Sequence, residues 1–469
     1  MISNKSKFSY RDPDGYVLNL DNSFFRVVYQ TFSEDLEIIK RHNLLNDKRF
    51  IKHTQIPIDE WPLVIRNWIN ENEIESDVLC IFEIEKIHCI TYPWEWTLSM
   101  FKEAALLTLE IQKVLIPIGL TLKDASYFNV QFINGRPIFI DLLSLKKADI
   151  FYPWHAYGQF LKHFIFPLVL FKYNSFNTLT LLRSFSDGID VSTISSLLPF
   201  RSYFNIYEFL NIHLLNSLKN RGNPKKIEFN TTLQKQKAEQ LVSFSRSYIN
   251  SIDSKKLLKR YSAWRDYPEQ NEAIYSRKKE MVFRQMLSSL PRMETCVDLG
   301  ANTGVFSQIL IEYVDSVISV EQDLICCKMI REKILLMDLK NKNWSILLND
   351  LIFPSNSSGW MNRERLSLFD RINSSLVISL ALIHHLYFKG SLYFDEVALM
   401  FNRITEKILI IEFIEADDDK VQLLAEQNST RLSSYNKENF IQEFNNHFDF
   451  VEEVTINQTR SMFLFEKQK

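Results

Sequence analysis

The chain has 469 residues, of which 46% are hydrophobic and 24% charged, and its formal net charge is −2. That length exceeds one ordinary hydrophobic core and predicts two domains. The near-zero charge excludes strong nonspecific attraction to nucleic acid, and no apolar tract is long enough to span a bilayer. The five cysteines are odd in number and lack zinc-ligand spacing. They predict reduced thiols in a cytoplasmic protein and no metal site, while the oligomeric state stays open.

The first half of the chain alternates short strands and helices. Residues 15–20 and 24–29 alternate in polarity around a turn and predict a β-hairpin. Further strands are predicted over 77–85 and 88–91, and a long amphipathic helix over 94–116. These elements predict an α+β domain over residues 1–215.

Three polar residues of this domain stand in a distinctive order. Asn129 follows Asp124 by five positions, and a hairpin with an Asn134-Gly135 turn then leads to Asp141. This order resembles the catalytic loop and metal-binding aspartate of protein-kinase-like and aminoglycoside-phosphotransferase-like domains. The resemblance implies that Asp124 accepts a substrate proton and that Asn129 and Asp141 hold magnesium.

The first domain departs from that pattern in its glycines. Gly15 is the only glycine before residue 119, so no glycine-rich loop can cover the phosphates. Because positioning of the phosphates is most of phosphoryl-transfer catalysis, we expect a kinase-like scaffold without turnover. A chance resemblance and an active phosphotransferase are the alternatives.

Residues 216–285 predict a linker followed by leading helices. The stretch 216–226 is polar and basic, contains Gly222 and Pro224, and predicts an exposed loop. Tyr275 lies in the segment before the next predicted strand and is a candidate lid residue. A second domain is then predicted over 286–469.

A glycine turn opens this second domain. An apolar run leads to Asp298, and Gly300, Ala301, Asn302 and Gly304 follow before a helical pattern begins. A strand that ends in a glycine turn and opens into a helix lets backbone approach a nucleoside. The spacing differs from that of dinucleotide-binding and P-loop motifs, and it resembles that of class I S-adenosylmethionine (SAM) methyltransferases. A tight turn without a ligand is the alternative.

The residues at the ends of the next three predicted strands are further candidates for contact with a bound nucleoside. Glu321 ends a strand about twenty residues after the glycine turn, where a carboxylate can accept hydrogen bonds from ribose hydroxyls. Asp350 ends the third strand, where the resemblance implies contact with the adenine amino group. Leu380, at the end of the fourth strand, is a further candidate for contact with the cofactor.

His384 and His385 follow the fourth strand, beside the position where the resemblance places the transferred methyl group. A histidine there can take a proton from an incoming acceptor because its ordinary pKa is near neutrality. The alternative is that one histidine packs in the core and the other bonds to backbone.

A fifth strand over 407–413 and a closing hairpin over 452–466 complete the second domain. The alternation predicts a Rossmann-like class I methyltransferase fold, with seven mostly parallel strands and one reversed edge strand. The chain also resembles a bacterial two-part methyltransferase family labelled nodulation-protein-like, for example at residues 92–96 (Tyr-Pro-Trp-Glu-Trp) and 381–386 (Ala-Leu-Ile-His-His-Leu).

This whole-chain resemblance implies a SAM-dependent methyltransferase that acts on an oxygen or nitrogen of a small molecule or glycan. A bifunctional kinase-methyltransferase acting on a polysaccharide end is one alternative. A non-catalytic nucleotide-sensing scaffold is another.

Overall fold

A computed structural model describes residues 12–20, 23–72, 74–174, 177–219, 228–253, 273–426 and 429–468. Parts of two predicted segments lie outside these ranges, namely the first hairpin turn at 21–22 and the basic residues 220–226, and so does the side chain of Tyr275. The chain divides into two compact units. The first unit comprises Met1–Phe132, Arg136–Lys259 and Ser357–Arg365, and the second comprises Ile133–Gly135, Arg260–Asn356 and Leu366–Lys469.

The first unit begins with a four-stranded antiparallel sheet. Its strands are β1 (Gly15–Leu20), β2 (Ser23–Tyr29), β3 (His53–Ile56) and β4 (Val78–Ile84), in the order β1-β2-β4-β3. Two helices cross between strands, α1 (Ser33–Arg41) and α2 (Leu63–Glu71). The apolar positions of β1, β2 and β4 pack with Ile65 and Trp68 of α2 into one buried cluster, as alternating strands with one buried face require.

The prediction of a strand over residues 88–91 is wrong. Residues 88–91 form bends and irregular backbone. The Thr91 N–H donates instead to the side-chain oxygen of Gln131, at 2.8 Å. A side-chain amide therefore satisfies the donor that a neighbouring strand would otherwise take.

The long helix α3 (Leu98–Leu115) starts four residues later than predicted. A single 3₁₀ turn, Pro93–Glu95, precedes it, and the Thr97 hydroxyl caps it by accepting from the Met100 N–H at 3.3 Å. A threonine at this position ends the preceding turn and satisfies an otherwise unpaired helical donor.

Two short hairpin-like pairs follow α3. Strand β5 (Leu120–Leu122) pairs with β8 (Leu145–Lys147), and β6 (Val130–Ile133) pairs with β7 (Arg136–Phe139). The predicted Asn-Gly turn between β6 and β7 is confirmed, with φ of 48° at Asn134 and 71° at Gly135. Both residues tolerate this left-handed conformation.

Helices make up most of the described residues that follow β8 in the first unit. Two π-helical stretches, Leu161–Ile165 and Phe209–Leu214, continue directly into α-helices. Residues 216–218, predicted as loop, form the end of a helix. The helices are α4 (Tyr157–Phe160), α5 (Phe166–Asn174), α6 (Asn177–Ser184), α7 (Val191–Leu197), α8 (Ile206–Glu208), α9 (Leu215–Leu218) and α10 (Thr231–Ser251).

The second unit is a seven-stranded Rossmann-like α/β domain. The sheet order is β11-β10-β9-β12-β13-β15-β14. The strands are β9 (Met293–Leu299), β10 (Val314–Glu321), β11 (Asn343–Leu348), β12 (Ser374–Ser379), β13 (Thr405–Ile414), β14 (Phe448–Asn457) and β15 (Arg460–Lys467).

The position of the reversed strand differs from the prediction. Strand β15 is antiparallel to both of its neighbours, β13 and β14. It therefore lies inside the sheet, and the edge strand β14 runs in the common direction. The short turn between β14 and β15 requires that they pair, and the apolar run of β15 is buried beside β13.

Helices connect the parallel strands, and one more helix precedes β9. They are α11 (Ala273–Ser289), α12 (Val305–Tyr313), α13 (Leu324–Leu336), α14 (Leu368–Arg371), α15 (Ile383–Phe388), α16 (Phe394–Ile404), α17 (Asp419–Ala425) and α18 (Lys437–Phe444). In the described part of the chain, no helix is both long enough and apolar enough to cross a membrane. The strand order reverses between β9 and β12, which is where open α/β sheets bind ligands.

Candidate active site

The glycine turn connects β9 to α12. Gly300, Asn302 and Gly304 all adopt left-handed φ values, of 73°, 49° and 75°. The Gly300 N–H donates to the Val320 carbonyl at 2.9 Å, and the Gly304 N–H donates to the Ala301 carbonyl at 2.8 Å. A Cβ at Gly300 would approach Leu382 to 3.3 Å. The turn thus needs glycine for its conformation and for space beside the end of β12.

Three parallel strands, β9, β10 and β12, end close to one level at this point, and β13 continues to Ile414. Leu299, Val320, Ser379 and Ile411 are register partners across β9, β10, β12 and β13. The residue that follows each of these in the chain lies at or near the carboxyl edge of the sheet. These residues are Gly300, Glu321, Leu380 and Glu412.

Glu321 is bound to the glycine turn through its side chain. One carboxylate oxygen accepts from the Asn302 N–H at 2.7 Å, and the other accepts from the Asp323 N–H at 2.8 Å. Burial raises the pKa of this carboxyl, and the backbone hydrogen bonds oppose the rise. Each oxygen still has a second lone pair that can accept a hydrogen bond from a ligand.

Asp298 lies beneath the turn, in the core. Its carboxylate accepts from the Ser307 hydroxyl of α12 at 2.5 Å. Ser307 accepts from Ser319 at 2.7 Å, and Ser319 accepts from the Trp344 indole N–H at 2.8 Å. Burial raises the pKa of Asp298 to about 7. This chain of hydrogen bonds ties β9, β10, β11 and α12 together below the turn.

Asp350 and Leu380 lie after the third and fourth strands, as expected. The Asp350 carboxylate accepts from the Ile352 N–H at 2.9 Å, and the preceding Asn349 N–H donates to the Glu321 carbonyl at 2.8 Å. Leu380 is buried, and Ala381 after it has a φ of 58°. A left-handed alanine is a strained backbone position, a feature that gathers at functional sites.

The two histidines lie in the first turn of helix α15, and their ring centroids are 4.3 Å apart. His384 is 2% exposed, and its Nδ1 has no hydrogen-bond partner among the described residues. Burial holds the pKa of His384 well below its ordinary value, and nearby cations add to the effect. Burial, with Lys389, lowers the pKa of His385 to about 4. Both imidazoles are therefore neutral near pH 7.

A buried group of charges lies at the same edge of the sheet, and the sequence analysis missed it. Lys279 of α11 pairs with Glu412 of β13 at 2.6 Å. The Lys279 Nζ is also 4.9 Å from the centre of the Phe306 ring. Arg460 lies 3.9 Å from Glu412 and pairs with Asp418 at 2.9 Å. Buried charge pairs are costly to desolvate, so such a group often marks a functional site.

The sequence gives one indication of this buried group, namely charged residues at positions within a strand pattern and a helix pattern. Glu412 interrupts the apolar run of β13, and Lys279 stands in a mixed polar helix. Nothing in the sequence indicates that they meet, because 133 positions separate 279 from 412.

In the first unit, Asp124, Asn129 and Asp141 form a cluster of their own. The Asn129 amide donates to the Asp124 carbonyl at 3.3 Å and to the Ser144 hydroxyl at 3.0 Å. Ser144 in turn donates to the Asp141 carboxylate. Burial raises the pKa of Asp124. The loop after Asp124 is thereby held against the chain that follows β7.

An ion pair occupies the Asp141 carboxylate. Arg26 of β2 donates to it at 2.8 Å and also donates to the Ile140 carbonyl at 3.1 Å. The Leu143 N–H is a further donor, at 3.2 Å. In the described part of the chain, no group of three or more His, Cys, Asp or Glu residues is arranged to hold a metal.

Comparison with known proteins gives one relative along the full length. The chain is 26% identical over 473 residues to nodulation protein NoeA of Rhizobium meliloti (strain 1021), which covers 98% of this chain and 96% of that protein. No family model matches the chain.

Solved methyltransferases resemble a part of the chain. N-methyltransferase NodS from Bradyrhizobium japonicum WM9, in complex with S-adenosyl-L-homocysteine, matches 46% of this chain and 98% of its own, at 10% identity and a TM-score of 0.33. Magnesium protoporphyrin IX methyltransferase (ChlM) from Synechocystis PCC 6803, with bound SAM, matches 48% and 96%, at 13% identity and a TM-score of 0.30.

Proposed function

We propose that this protein is a SAM-dependent methyltransferase that transfers a methyl group to an oxygen or nitrogen of a small molecule or glycan. The observation that carries the proposal is the glycine turn at the reversal of strand order, with the Glu321 carboxylate attached to it by the Asn302 N–H at 2.7 Å. An open turn and an adjacent carboxylate are what a nucleoside with two ribose hydroxyls needs.

The residues present fit this cofactor. Gly300 leaves backbone exposed where a side chain would crowd Leu382. Glu321 would accept from the ribose hydroxyls, and Asp350 would contact the adenine amino group from the end of the third strand. We assign Asp298 a positioning role, because its carboxylate is turned to Ser307 in the core.

Bound SAM supplies an electrophilic methyl group on a sulfonium sulfur. The protein then has to align the acceptor with that carbon and exclude water. The neutral His384 would hydrogen-bond the acceptor through its Nδ1, which has no partner among the described residues. The buried Lys279–Glu412 pair would form a dry polar wall beside it. A low imidazole pKa favours hydrogen bonding over storage of a full proton.

For the first domain we propose a kinase-like scaffold that does not transfer phosphate. Support comes from the Arg26–Asp141 ion pair, which occupies the carboxylate that would otherwise bind magnesium. The bifunctional alternative predicts transfer of labelled γ-phosphate from ATP that disappears in Asp141→Ala. We expect no transfer by either protein.

Calorimetry with S-adenosylhomocysteine and with magnesium-ATP, in separate titrations of the full chain, tests the assignment. We expect saturable binding of the first ligand at micromolar affinity and at most weak heat from the second. A folded protein that binds magnesium-ATP but not S-adenosylhomocysteine would contradict the methyltransferase proposal and favour the nucleotide-sensing alternative.

A further inference from the structure

One segment of the first unit exposes a set of large apolar side chains. The helical segment 206–218 runs through α8, the π-helical stretch and α9. We call its solvent-facing apolar side chains, with those of the 3₁₀ turn before it, the apolar face. Its members are Phe200, Tyr203, Phe204, Ile206, Phe209, Leu210, Leu214, Leu215 and Leu218. Phe200 is 75% exposed, Phe204 79% and Ile206 63%.

The opposite side of the same segment contains the buried Ile212 and is held inward by polar contacts. Glu208 is fully buried and accepts from Lys172 at 2.5 Å, and from the hydroxyls of Tyr173 and Tyr248 at 2.7 Å each. The Tyr207 hydroxyl bonds to Ser245 of α10 at 2.8 Å, and the Tyr207 ring stacks on Tyr248 with centroids 4.3 Å apart.

The segment is thus amphipathic, but its apolar side faces solvent and its polar contacts face the core. In a helix on a water-covered surface, polar residues face solvent and apolar residues face the core. Here hydrogen bonds and an ion pair hold the polar side inward, so the apolar face cannot turn in without breaking them. Exposed apolar patches of this kind mark contact with another protein or with a membrane.

The charges around the apolar face distinguish between these partners. Within residues 197–219 the exposed charged side chains are Arg201 and Lys219, both cationic, while the acidic Glu208 is buried. Large apolar side chains bordered by lysine and arginine are typical of segments that lie in the interface of anionic membranes.

We propose that the apolar face docks onto an anionic lipid surface, with its phenylalanines and leucines inserted among the headgroups and Arg201 and Lys219 against the lipid phosphates. A second copy of the chain is a poorer partner, because symmetric pairing would bring like charges together. This inference concerns the first unit and does not depend on the methyl-transfer proposal.

Vesicle co-sedimentation of the full chain tests the proposal. The two probes are vesicles of phosphatidylcholine alone and vesicles with about one quarter phosphatidylglycerol, a fraction that gives a negative surface potential. We expect binding to the anionic vesicles that weakens as salt rises from about 0.05 to about 0.5 M. The Phe204→Ser/Ile206→Ser double variant should bind them about 10- to 100-fold more weakly. It lacks two apolar side chains that would be partly buried among the lipid headgroups.

The matched control is Ile58→Ser/Phe353→Ser, since Ile58 is 69% and Phe353 72% exposed. It should bind like the wild type, and the circular dichroism of both variants should match that of the wild type. Equal binding by both double variants, or no binding by the wild type, would overturn the proposal. So would dimerisation of the wild type in sedimentation velocity that only the Phe204/Ile206 variant abolishes, because a second copy would then be the partner.

Discussion

The two units each place a carboxylate beside a loop, but they use it differently. Glu321 in the second unit is held by two backbone N–H groups, and no ion pair to it occurs among the described residues. Asp141 in the first unit is held by the Arg26 guanidinium, a backbone N–H and a hydroxyl. Backbone donors fix a carboxylate while leaving it negatively charged toward a ligand, whereas a buried arginine neutralises it. The first arrangement is suited to binding and the second to holding a loop in place.

The largest expected effect on ligand binding comes from Gly300→Val. Its Cβ would meet Leu382 at 3.3 Å, at a residue whose φ is 73°. We expect affinity for S-adenosylhomocysteine to fall roughly 100-fold or more, about 2.7 kcal/mol, in calorimetric titration. Gly119→Val is the matched control, because φ there is 78° and a Cβ would meet nothing within 4 Å. Equal affinity in both variants would contradict the site assignment.

The first unit should respond to loss of its ion pair in stability and not in cofactor affinity. Asp141→Ala would leave Arg26 buried without its anion, and we expect a cost of about 3 kcal/mol in the free energy of unfolding. Arg26→Met combined with Asp141→Leu should recover part of that cost. Denaturant unfolding measures both. A fall in S-adenosylhomocysteine affinity in Asp141→Ala would contradict the assignment of Asp141 to loop stability and of Glu321 to ligand binding.

Glu321→Ala should show the opposite behaviour. We expect a loss of roughly 1.5–3 kcal/mol in S-adenosylhomocysteine binding, the scale of hydrogen bonds to a charged group. Calorimetry at constant pH measures the loss, and Glu321→Gln separates charge from shape. Unchanged binding in both variants would show that the carboxylate serves only the turn.

Asp298 predicts a pH dependence of stability. The carboxyl has an ordinary pKa of 3.8 and a folded pKa of about 7. Between these values the folded chain keeps a proton that the unfolded chain has lost, so stability from this group falls as pH rises from about 4 to about 7. Asp298→Asn stays neutral and can still accept from Ser307. Its melting temperature relative to wild type should therefore be higher at pH 8 than at pH 5.

The exposed Asp417→Asn serves as the control for this comparison. It should show no such difference between the two pH values. An Asp298→Asn variant that behaves like Asp417→Asn would mean that the carboxyl is ionised in the folded state.

The smallest expected effect concerns the histidines. Because the pKa of His385 is about 4 and that of His384 is well below its ordinary value, neither ring should titrate between about pH 6 and 8. Transfer of labelled methyl groups from SAM to components of cell extract should then show no histidine step in that range. A step near pH 6.5 that His384→Ala or His385→Ala removes would support the general-base hypothesis, which stays a prediction.

The sequence alone determined the features that depend on neighbouring residues. The glycine turn, the strand ending at Glu321, the apolar run before Leu380 and the Asn134-Gly135 hairpin each follow from turn chemistry or hydrophobic period within a few positions. The number of strands in the second unit follows from the same signals. Their physical cause is local, so a short window of sequence contains it.

The tertiary structure decided everything that joins distant positions. It placed β15 inside the sheet, brought Lys279 to Glu412 and Arg460 to Asp418, and set Arg26 against Asp141 across 115 positions. It also turned the apolar side of residues 206–218 outward, against the usual assumption about amphipathic helices. Distant charged residues meet in the core only when whole helices and strands pack together. The hydrophobic period of a helix indicates how wide its apolar side is, but it does not indicate which side faces water.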